Sequence, residues 1–86
     1  MRLMKIQISD DLFWGFYKYV DIEIFETFDE LIHYIHNELI IFLHFNNLIQ
    51  LEDKARNLRL HNHSYNNYED LYNLDISDTI YICGHC

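Results

Sequence analysis

The chain has 86 residues, half of them hydrophobic, with 2 glycines, no proline and a formal net charge of −8. That is room for one domain around one modest core, and the composition excludes a disordered or low-complexity chain. The charge argues against gripping a phosphate backbone, which takes clustered Lys and Arg, so no nucleic-acid partner is expected; a basic protein surface suits it better.

The opening residues, Met1 to Lys5, lack the apolar core and small-residue cleavage site of a signal peptide. The longest apolar run, 39–43, is far too short to span a bilayer, so no membrane partner and a cytoplasmic location are expected. Residues 1–8 alternate, with Met4, Ile6 and Ile8 on one face and Leu3, Lys5 and Gln7 on the other, which predicts a strand. Ser9, Asp10 and Asp11 signal a turn. Residues 17–26 alternate again, with Val20, Ile22 and Ile24 facing in, so the two strands form a hairpin. The loop between them, 12–16, is aromatic. Its rings either fold over the open end of the core, or Phe13 and Trp14 form an anchor for a partner.

Residues 27–45 carry the helix signal. Phe28, Leu31, Ile32, Ile35, Leu39, Phe42 and Leu43 recur at i, i+3, i+4 and i+7, and Thr27 with Glu30 makes a capping box at its start. Asn46 and Asn47 break the pattern. Residues 48–56 then read either as a second short helix or as a kinked continuation of the first. Residues 58–61 predict a short strand, the polar cluster 62–67 a turn, and 68–74 one helical turn with an apolar plug. After the acidic turn 75–78, residues 79–83 form a β-branched, aromatic closing strand.

The order is ββαββ, an α+β pattern. The opening MRLMKIQI, the capped helix after V-D-I-E-I, and the ending LRLHNH…YEDLYNLDISDTIYI resemble the ubiquitin-like β-grasp family. Tyr72, Asn73 and Leu74 stand where the family has its Tyr-Asn pair and following core residue. The resemblance implies a mixed four-stranded sheet curled around one helix as a single domain over 1–86, with an inserted segment after the helix. It also implies protein partners, including activating and conjugating enzymes of the ubiquitin type if the chain is a modifier. The family's recognition patch falls on Arg59, His61, Tyr81 and Cys83, with Leu58, Leu60, Ile80 and Ile82 turned to the core. Ubiquitin-type modifiers end in Gly-Gly on a flexible tail, whereas this sequence ends Cys83-Gly84-His85-Cys86. Conjugation would therefore use an unusual end, with Gly84, His85 and Cys86 as the terminus.

The same Cys-x-x-C ending has other readings. It matches the spacing of a thiol-redox pair, but no helix follows to lower the first thiol's pKa. His61, His63, Cys83, His85 and Cys86 include enough donors for a four-coordinate zinc site. The remaining reading is an exposed end with no such role, and no cofactor is expected. A third class is a structural subunit of a larger assembly. His33 and His36 are read as solvent-side residues of the helix, lacking the glutamate of an H-E-x-x-H arrangement. No nucleophile–base constellation, phosphate loop or nucleotide fingerprint marks an enzyme.

Overall fold

The computed structural model of the chain describes residues 1–84. A central strand β1 (Leu3–Ser9) pairs antiparallel with β2 (Tyr17–Asp21) on one side and parallel with β3 (Thr79–Cys83) on the other. Helix α1 (Phe28–Phe45) covers one face of this mixed three-stranded sheet, and a shorter helix α2 (Ile49–Arg56) packs beside it. The fold is α+β.

The period-two alternation of the strands supplies half the core. Met4, Ile6, Ile8, Val20, Ile80 and Ile82 are buried on one face. Leu31, Ile35, Leu39 and Leu43, spaced by four, form the facing stripe of α1. The stripe is narrower than the predicted helix face: Phe28 and Ile32 are half-buried at its edge, and Phe42 is turned outward, half exposed beside Phe16. Thr27 Oγ1 accepts the Glu30 N–H at 3.2 Å, as the capping box requires, while the Glu30 carboxylate takes the N–H of Glu26 at 3.4 Å.

Asn47 separates α1 from α2. Its φ of 58° is a left-handed conformation that asparagine tolerates. Leu48 then donates back to the Leu43 carbonyl at 2.9 Å, so α1 stops and α2 starts as a separate helix.

Two sequence expectations are corrected. The second strand ends at Asp21 and not at residue 26. Asp21 Oδ1 accepts the N–H groups of Arg2 and Glu23 at 3.0 and 3.1 Å, bending the chain into a 3-10 turn at Ile22–Ile24. The alternation breaks there, Ile22 stays buried, and Ile24 faces outward at 65% exposure. The strand expected at 58–61 shrinks to one antiparallel bridge, His61 to Cys83, with both N–H···O distances 3.0 Å. The N–H of Leu58 closes α2 on the Ala55 carbonyl, and Asn62 Oδ1 takes the Tyr65 N–H in the turn just after His61. Ladder pairing is cut off from both ends, so the described sheet has three strands where four were expected. Leu58 and Leu60 still lie half-buried against the core. Gln7 lies on the outer face as expected and is buried there, its Nε2 donating to the Trp14 carbonyl at 2.8 Å.

Candidate functional site

The sheet face away from α1 is open, and the strand register sets what lies on it. Gln7 stands between Tyr17 of β2 and Tyr81 of β3, and Lys5 between Tyr19 and Thr79. Tyr17, Tyr19 and Tyr81 are 49%, 64% and 50% exposed. The Tyr17 and Tyr19 rings meet edge to face with centroids 6.0 Å apart, and Lys5 Nζ sits 4.4 Å from the Tyr17 centroid. At the margin, the two backbone N–H groups on Asp21, that of Arg2 foremost, hold its carboxyl below the usual carboxylate range.

Of the residues expected to form the patch, Tyr81 and Arg59 are exposed, while His61 and Cys83 are half-buried and joined by their backbone bridge. Sequence reasoning missed Tyr17 and Tyr19. The signal was there, because the alternation that turns Val20 inward turns Tyr19 outward. The aromatic loop divides. Phe13 is buried in the core at 6% exposure, so it is no partner anchor, and its carbonyl takes the Phe16 N–H at 2.9 Å in a tight turn. Trp14, one residue on, is 65% exposed.

Gly84 is held in the sheet. It is buried, and its N–H donates to the Ser9 carbonyl at 3.0 Å, continuing the line of β3 beside β1. A Cβ there would come within 2.5 Å of the Asp10 carboxylate, so glycine is required for space and not for a special backbone angle. Gly84, named for the conjugation end, is thus packed into the sheet. His85 and Cys86, the rest of that expectation, lie outside the described residues. The same holds for His85 and Cys86 of the zinc reading and for Cys86 of the thiol pair. His61 and His63 have ring centroids 6.4 Å apart. Among the described residues no group of three or more His, Cys, Asp or Glu side chains is arranged to hold a metal ion.

His33 is exposed as expected, in contact with Asn37 at 3.3 Å. His36 is not a solvent-side residue. It is half-buried and its Nε2 lies 2.6 Å from the Ala55 carbonyl, which ties α1 to α2.

A second surface was not foreseen. The 12–16 loop, the C-terminal half of α1 and the start of α2 enclose an open groove of about 720 Å³, lined by Leu12, Phe16, Ile41, Phe42, Phe45 and Leu48 among others. Its charged lining residues, Lys18 and Glu38, pair with each other at 3.2 Å. Comparison with protein-family models, curated proteins and solved structures finds no match for this chain. No described helix is long and apolar enough to cross a membrane.

Proposed function

We propose that this chain is a ubiquitin-like β-grasp domain whose work is protein–protein recognition through the outer face of its sheet, without chemistry of its own. The fold half of the reading is supported by the mixed sheet on one helix, with β1 and β3 parallel, and by the His61 bridge on the far side of β3. The recognition half is carried by one observation: Tyr17, Tyr19 and Tyr81 are about half exposed or more on the outer face of the sheet. Tyrosine joins a large apolar area to a hydroxyl and is enriched at interface centres. The formal charge of −8 matches a basic partner surface.

Non-covalent binding ranks ahead of conjugation in this reading, because Gly84 is buried beside β1 and bonded to it. Affinity capture from the source cells, read by intact mass, tests both forms. A recognition domain gives a partner that Tyr19→Ala with Tyr81→Ala releases, each true anchor costing about 2 kcal/mol or more. A modifier gives covalent adducts as well. A partner set unchanged by the double substitution overturns the sheet face as the recognition surface.

A further inference from the structure

We draw no further inference here: the strongest candidate, the apolar groove between the 12–16 loop, the C-terminal half of α1 and the start of α2, has a lining whose charges compensate each other, and nothing in the structure shows what covers it.

Discussion

Tyr68 links parts of the chain that are far apart in sequence. Its hydroxyl donates to the Ile22 carbonyl at 2.6 Å, and its ring lies 5.3 Å from Phe28, edge to face. Burial comes first in pushing its phenol pKa well above the ordinary value of about 10, with Tyr72, Glu30 and Asp21 adding to the rise. The neutral form is the one the fold holds. A folded pKa above the unfolded one gives stability that is whole below pH ~10 and is lost as pH rises beyond it. Tyr68→Phe keeps the ring and removes the hydrogen bond, so it should cost about 1 kcal/mol at neutral pH, the Ile22 carbonyl keeping the Phe25 N–H at 3.4 Å. Its alkaline loss of stability should be shallower than the wild type's, though not absent, since burial also raises Tyr65. Urea unfolding at neutral pH and near pH 11 reads both, and an identical alkaline slope in the two proteins would remove Tyr68 from the account. The sequence pattern places this residue only in a helical turn with an apolar plug. Single-residue roles of this kind are the least legible: period two and period 3.6 do not apply inside a loop, so the pattern does not tell Phe13 and Trp14 apart.

At the scale of elements, legibility follows the strength of the period. Strands β1 and β3 and helix α1 are readable because their alternation or four-residue spacing runs unbroken over their length. The end of β2 and the strand at 58–61 fail where a local hydrogen bond outcompetes the ladder, through Asp21 in one case and through Leu58 and Asn62 in the other. The sequence leaves α2 undecided between two forms, and a single residue, Asn47, resolves it. An eight-residue helix with no side-chain N-cap is marginal by itself, so α2 depends on docking. Buried Ala55 and the bond from His36 supply that docking. Substituting His36→Ala should therefore loosen α2 in preference to α1. The Ala55 carbonyl retains the Leu58 N–H at 3.1 Å, which limits the cost to about 1 kcal/mol. In hydrogen exchange the amides of 49–56 should speed up while those around Ile35 and Leu39 hold. Equal acceleration in both helices would mean that the two unfold as one unit and that His36 is no local clamp.

The molecule as a whole rests on a single core shared by β1, β2, β3 and α1, with its closing strand drawn from the other end of the chain. Sequence pattern locates this core, because a sheet face and a helix stripe are each visible as a period. It locates the outer sheet face only in part, through Tyr81 and not through Tyr17 and Tyr19, and it does not locate the groove at the end of α1, which depends on what remains uncovered after packing. Ile35 and Ile24 separate what burial contributes from what sequence alone suggests, since the pattern turns both inward. Ile35 is fully buried in the middle of the α1 stripe, and Ile24 is 65% exposed. Ile35→Ala should cost about 2–5 kcal/mol, through lost transfer energy and the cavity left behind. Domains of this size have only on the order of 5–15 kcal/mol in total, so the transition should move to markedly lower denaturant or the variant should fail to fold. Ile24→Ala should stay within about 0.5 kcal/mol of wild type. Because one core serves every element, tyrosine fluorescence and far-UV circular dichroism should report the same midpoint in each protein. Two separated transitions would mean that α1 and the sheet do not share the core, and the uncovered sheet face would then lose the rigid support that recognition by Tyr17, Tyr19 and Tyr81 requires.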